Sequence, residues 1–134
     1  MVAVVVDSSV AASWCLPDEG TGIAEATLRL VEAGGMIVPP LFWYELRNVL
    51  VVSERRGRID IATASAGLKR IAALPTRIDG QHDETLLLGL ARAHGLTVYD
   101  CAYLELAKRT EVPLATFDKA LRRATAAEAV PVVG

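Results

Sequence analysis

Val2-Ala3-Val4-Val5-Val6-Asp7-Ser8-Ser9 is the stretch whose reading decides the fold. Its apolar half is a short, valine-rich run with no polar alternation, the pattern of a strand covered on both faces. Asp7 breaks the run, and the serines that follow read as a helix start. The same order of apolar run, acid and helix returns twice. Leu96-Thr97-Val98-Tyr99 leads to Asp100, and Leu114-Ala115-Thr116-Phe117 leads to Asp118. A fourth acid, Glu45, lies inside the helix-like run Leu41-Phe42-Trp43-Tyr44-Glu45-Leu46. In an open parallel α/β sheet the carboxyl ends of the strands share one edge, where ligands bind in a crevice. Acids far apart in sequence therefore meet at one point.

Working outward, strand and helix signals alternate, which favours βαβ units and a parallel sheet with helices on both faces. The first strand is expected over Val2 to Val6 and a short helix from Ser8 to Cys15, stopped by Leu16-Pro17. A second helix runs from Thr21 to Ala33, with Gly34-Gly35 as its stop. Met36-Ile37-Val38 reads as a strand. Pro39-Pro40 then opens a long helix that ends near Gly57. Further helices are expected from Asp60 to Ala73 and from Asp83 to His94, the latter closed by Gly95, with a short strand over Pro75 to Ile78 between them. Strands are expected at Thr97–Tyr99, Leu114–Thr116 and Val130–Val133, with helices starting at Asp100 and Asp118. No repeat, low-complexity tract or linker interrupts residues 1–134, so a single domain is expected.

Composition narrows the class. With 52% hydrophobic and 22% charged residues, the chain of 134 residues is globular and long enough for a real core. A net charge of −2 argues against a protein that coats nucleic acid non-specifically, while leaving room for a local basic groove. The mean hydropathy of +0.35 is high for a small domain and suggests apolar surface covered by a partner. Cys15 and Cys101 have neither disulfide-framework nor zinc spacing and read as reduced core thiols, which suits a cytoplasmic protein. The N-terminal run lacks a basic flank and is cut by Asp7, so it does not read as a signal peptide. No run approaches the roughly 18 apolar residues of a membrane span.

Asp7, Asp100 and Asp118 each have an ordinary reading as helix N-caps. Against it, the end of a central strand is partly buried, and a buried acid needs a stronger reason than capping. Glu45 discriminates better, because it sits too far inside its helix to cap. Phe42, Trp43, Tyr44, Leu46, Val49 and Leu50 surround it, so it must be paired, bound to a cation, or turned to solvent. Arg47 is the ion-pair alternative, and Asn48 shares its helix. Ser8, Ser9 and Thr116 stand beside the acids, where their hydroxyls orient a carboxylate or simply cap. Carboxylates brought together repel unless protons or a cation offset the charge. An all-oxygen cluster without Cys or His points to Mg²⁺ or Mn²⁺.

Lys108 and Arg109 read as a solvated helix face, and His94 as a helix C-terminal residue. Asp18, Glu19, Asp60, Asp79, Asp83 and Glu84 read as solvated acids of turns and first turns. Lys119, Arg122 and Arg123 begin one residue after Asp118, so they are candidate phosphate contacts flanking the acids.

Four segments together resemble a PIN domain: Val4-Val5-Val6-Asp7-Ser8-Ser9, Tyr44-Glu45-Leu46-Arg47-Asn48-Val49-Leu50, Val98-Tyr99-Asp100-Cys101-Ala102-Tyr103-Leu104 and Ala115-Thr116-Phe117-Asp118. The resemblance is closest to VapC-type toxins of bacterial toxin–antitoxin pairs, and Trp14-Cys15-Leu16-Pro17-Asp18-Glu19 is similar to the loop after the first helix in that family. It implies a three-layer α/β/α sandwich with a central, mainly parallel sheet. It also implies an Mg²⁺- or Mn²⁺-dependent ribonuclease whose acid quartet is Asp7, Glu45, Asp100 and Asp118, with Thr116 at the polar position before the last acid. Asp7 and Asp100 are the expected direct metal ligands; Glu45 and Asp118 are either ligands or groups that position and deprotonate water. A homodimer and a cognate antitoxin are implied partners, with Trp14, Leu16, Phe42 and Trp43 as antitoxin contacts or, equally, core residues.

Two other readings compete. One is a PIN-like module that binds RNA or protein without cutting. The other is an Mg²⁺-dependent phospho-aspartate protein, although Ser9 stands where a phosphatase of that kind needs a second Asp, and no receiver-type Lys is evident.

Overall fold

A computed structural model describes residues 4–17 and 22–134. Its sheet has four strands in the order β3-β2-β1-β4, every neighbouring pair parallel. These are β1 (Val4–Val6), β2 (Met36–Val38), β3 (Thr76–Ile78) and β4 (Leu114–Ala115). Helices α1 (Ser8–Ser13) and α2 (Gly22–Gly34) lie between β1 and β2. Helices α3 (Leu41–Arg55) and α4 (Ile61–Ala72) lie between β2 and β3. Helices α5 (Glu84–His94) and α6 (Val98–Thr110) lead to β4, and α7 (Lys119–Ala127) follows it. Helices flank a central parallel sheet, as the alternation of signals requires.

The valine run earns its central place. Val4 and Val5 register with Met36 and Ile37 on one side, and Val5 and Val6 with Leu114 and Ala115 on the other. Val4, Val5 and Val6 are fully buried, and both α2 and α6 pack against β1. β3 is the polar edge, with Arg77 and Ile78 exposed. Two glycines are needed where they stand. Gly35 takes φ +85 between α2 and β2, where a Cβ would also come within 3.1 Å of the Pro75 carbonyl. Gly67 lets α4 close on the end of α1, since a Cβ there would lie 2.5 Å from the Cys15 sulfur.

Two expected strands are not strands. Thr97–Tyr99 is the start of α6: Thr97 caps it, its hydroxyl accepting the Asp100 N–H at 3.1 Å, and Val98 and Tyr99 form its first turn. A well-made cap outweighs the weak strand preference of three residues. Asp100 therefore stands one turn into a helix, not at a strand end. Val130–Val133 makes only a single parallel bridge, Leu114 to Val132. Pro131 has no N–H to extend the ladder, although its carbonyl accepts from Leu114 at 2.9 Å. The first helix also ends at Ser13, short of Cys15. The expectations for Val2, Ala3, Asp18, Glu19 and Thr21 lie outside the described residues.

Candidate active site

Asp7 leaves the carboxyl end of β1, where its N–H donates to the Ala115 carbonyl of the neighbouring β4 at 3.0 Å. It caps α1, accepting the Ser9 N–H at 3.4 Å. The same buried carboxylate accepts from the hydroxyls of Thr116 at 2.7 Å, Ser9 at 3.1 Å and Ser8 at 3.4 Å. Capping and clustering are thus not alternatives here. Asp118 caps α7 through the Leu121 N–H at 2.8 Å, and its own N–H donates to Thr116 Oγ1 at 3.1 Å. Thr116, fully buried, joins both β-end acids.

The two remaining acids come from helices. Glu45 is half-buried on the second turn of α3, and α3 packs on α1. Its Oε1 accepts from the Tyr103 hydroxyl at 2.6 Å and from Ser8 Oγ at 3.4 Å. The alternative partner Arg47 is turned elsewhere, its guanidinium 5.9 Å from the Trp43 ring centre. Asp100 is half-buried on the first turn of α6.

Glu45 and Asp100 each lie within the field of neighbouring acids. Burial pushes the Glu45 carboxyl above the usual carboxylate range; the Tyr103 and Ser8 hydrogen bonds oppose this, while the charges of Asp7 and Asp100 add to it. Burial likewise raises Asp100, reinforced by Asp118 and then by Asp7, with Thr97 opposing. Among the described residues, no Lys, Arg or His forms an ion pair with any of the four.

The donors are all oxygens, which suits a hard divalent cation. Among the described residues, no three of His, Cys, Asp and Glu stand close enough together to enclose an ion by themselves. The acids thus form an open negative patch, not a closed cage. That arrangement fits Mg²⁺, which keeps several waters and is bound through one or two carboxylates together with substrate phosphates.

Other sequence expectations divide. Ser8 and Thr116 sit on Asp7, and Asn48 is exposed on α3. Lys119, which follows Asp118, and Arg123 on α7 are exposed. Arg122 is not open to a phosphate: it donates to the carbonyls of Thr116 at 3.1 Å, Val133 at 3.3 Å and Gly134 at 2.9 Å. Leu16 and Phe42 are core residues, while Trp14 and Trp43 are half-buried.

Lys108 and Arg109 are not a solvated face. Lys108 pairs with Glu128 at 2.9 Å, and Arg109 pairs with Glu105 at 2.6 Å and Asp79 at 3.2 Å. Glu105 is 2% exposed, so its charge requires that partner. Asp79 accordingly belongs to an ion-pair network, not to a solvated turn. The sequence carried the signal in Glu105-x-x-x-Arg109, an i,i+4 pair set among leucines. Tyr103, which donates to Glu45, is marked in the sequence in the same way. Its position three residues after Asp100 puts both on one face of a helix.

A PIN-domain family model matches residues 4–127. Ribonuclease VapC3 of Pyrobaculum aerophilum is 32% identical over 120 residues, covering 87% of this chain and 90% of that protein. The crystal structure of PAE2754 from Pyrobaculum aerophilum superposes with a TM-score of 0.72 at 24% identity, covering 92% of this chain and 84% of the other. Mycobacterium tuberculosis VapC20, described as a sarcin-ricin loop cleaving toxin, superposes with a TM-score of 0.58 at 14% identity, covering 91% and 95%. The last two likenesses bear on the fold alone.

Proposed function

The chain belongs to the PIN-domain family, and from that premise we propose that it is a divalent-metal-dependent ribonuclease, the toxin of a toxin–antitoxin pair. The observation that carries this reading is the set of four acids, contributed by the end of β1, α3, α6 and the β4–α7 connection, in which Glu45 and Asp100 face further carboxylates and, among the described residues, no cationic side chain pairs with any of the four. Folding alone gives no reason to keep such repulsion.

Asp7 and Asp100 are the proposed direct ligands of Mg²⁺ or Mn²⁺. Glu45 and Asp118 either complete the coordination or hold and deprotonate the attacking water. A bound divalent ion supplies Lewis-acid polarisation of the scissile phosphate and makes water a better nucleophile. Thr116 and Ser9 fix the Asp7 carboxylate by hydrogen bonds that compete with its rotation. Ser8 Oγ lies between Asp7 and Glu45, 3.4 Å from each, where its single proton serves one carboxylate at a time. Lys119, next to Asp118 in sequence, and Arg123, further along α7, are the proposed RNA phosphate contacts, and both are open to solvent. A protein antitoxin, a second copy of this chain and a cytoplasmic location complete the proposal. The exposed apolar side chains Tyr44, Ile61 and Ile78 supply surface for protein partners. Among the described residues, no helix is long and apolar enough to cross a membrane.

The test is cleavage of a labelled RNA with Mn²⁺ or Mg²⁺ by wild type, Asp7→Asn and Asp100→Asn. Asn at position 7 can still cap α1. Each variant is expected to lose at least about a thousandfold in rate, roughly 4 kcal/mol of transition-state stabilisation. Undiminished metal-dependent cleavage by both variants would remove the assignment. Metal-independent RNA binding without turnover in wild type would favour the non-cutting module instead.

A further inference from the structure

The chain has three tyrosines, and one of them is enclosed beside the acids. Tyr103 is 1% exposed on α6, one turn beyond Asp100, and its hydroxyl reaches across to Glu45 on α3 at 2.6 Å. Among the described residues, no other hydrogen bond to Glu45 is as short; Ser8 Oγ is at 3.4 Å and also faces Asp7. A buried phenol needs a partner for its O–H, but it does not need a carboxylate in a repelling cluster. Elsewhere in the fold the hydroxyls of Thr27, Ser53 and Thr110 are satisfied by backbone carbonyls of their own helices.

We propose that Tyr103 is a positioning residue, which holds the Glu45 carboxylate toward Asp7 and Asp100 and so completes the metal-binding face of the site. This rests on the ribonuclease reading above. The phenol is a donor that bears no charge. It stabilises a carboxylate without adding a cation that would compete with a metal ion for the cluster, as an Arg or Lys at position 103 would. It also ties α3 to α6 at the height of the acids. The separation of Glu45 from Asp100 is then fixed by a hydrogen bond as well as by packing.

Tyr103→Phe keeps the ring and its burial and removes only the hydroxyl. A hydrogen bond to a charged group of this kind is worth about tenfold or more. Tyr103→Phe is therefore expected to lower kcat on RNA by about tenfold or more, with KM for RNA unchanged, and to weaken Mn²⁺ binding by calorimetry by a similar factor. A Tyr103→Phe, Glu45→Gln cycle separates positioning from a packing role. If Tyr103 acts through Glu45, the Phe substitution adds little once Glu45 is Gln. Full additivity, or a Phe variant equal to wild type in both kcat and Mn²⁺ affinity while wild type cleaves RNA, overturns the role and leaves the ribonuclease reading intact. If wild type does not cleave but Tyr103→Phe still weakens Mn²⁺ binding, the ribonuclease reading falls and the positioning role stands.

Discussion

Asp100 and Glu105 lie on one helix less than two turns apart, and the protein treats them in opposite ways. Glu105 is the more deeply buried, yet it is held at 2.6 Å by Arg109, which also reaches Asp79 and the Gln81 carbonyl. Nearby, Glu128 has both Lys108 at 2.9 Å and His94 at 2.7 Å. Among the described residues, Asp100 and Glu45 receive only neutral hydroxyl partners and face further acids. Among the described residues, one set of acids therefore carries its counter-charge, and the other lacks it. A chain able to place arginine against Glu105 could have done so at Asp100. The lack of cationic partners at the quartet among the described residues is the feature that separates a ligand site from a structural ion pair. Breaking each set should give effects of opposite sign.

The largest expected effect on stability is on the compensated side. Arg109→Leu leaves Glu105 buried without its cation and releases the 79–83 connection, which also donates the Asp83 N–H to Glu105 at 3.0 Å. Removing one partner of a buried ion pair costs about 3 kcal/mol, or a fall of about 10 °C in Tm for a domain of this size. Adding Glu105→Gln should recover part of that loss, because the orphaned charge goes with it. A fall of less than about 1 kcal/mol in chemical denaturation would mean that Glu105 is solvated in practice, and the contrast with Asp100 would lose its basis.

On the uncompensated side the effect is smaller and of the other sign. Removing one charge from the quartet with Asp100→Asn should raise the Tm of the metal-free protein. Mn²⁺ at tenfold its Kd should stabilise wild type by about 1.4 kcal/mol, roughly 3–7 °C, and the variant by less. Differential scanning fluorimetry with and without Mn²⁺ reads both. If Mn²⁺ leaves wild type unchanged and the substitution is neutral, Asp7 and Asp118 are caps and nothing more, Asp100 is an ordinary first-turn acid, and the metal site falls.

How far the sequence reveals this contrast depends on the link in question. The valine run and the junction acid Asp7 were legible because a buried strand and its abrupt end are local patterns. Glu45 was legible because an acid amid aromatic residues is costly wherever it folds. Asp100 was found for a partly mistaken reason. Val98 and Tyr99 suit a strand, but the Thr97 cap makes them helical, and capping geometry competes with strand preference over so few residues. What the sequence hid were pairings across elements. Arg109 with Asp79, Arg122 with the Thr116 and Val133 carbonyls, and Tyr103 with Glu45 each join elements separated by 6 to 58 residues. Charge patterning along one helix does not show what a long side chain meets on another.

The finest distinction between the two sets is their dependence on pH, and here the signs can be worked out. Glu45 and Asp100 have folded-state proton affinities raised above those of the unfolded chain, by burial first and then by neighbouring carboxylates. Their contribution to stability is fully present below the unfolded pKa and is lost as pH rises through the folded one. For Asp79, burial alone would raise the carboxyl, but the Gln81 N–H and Arg109 outweigh it and hold it below the usual range. Glu128 is lowered by Lys108 first and then by His94. The contribution of these two is present above the unfolded pKa and is lost as pH falls through the folded one. Asp100→Asn should accordingly match wild type most closely in acid and become relatively more stable as pH rises through the carboxylate range, about pH 4 to 6. Asp79→Asn should also lie nearest to wild type in acid but become relatively less stable as pH rises, with the change complete by about pH 4 because its folded pKa lies below the usual range. Partial exposure and salt keep both changes small, so the informative quantity is the difference in Tm between variant and wild type, measured without metal at several pH values. Differences that move in the same direction for both variants would show that the two sets of acids feel the same field, and the division between them would fail.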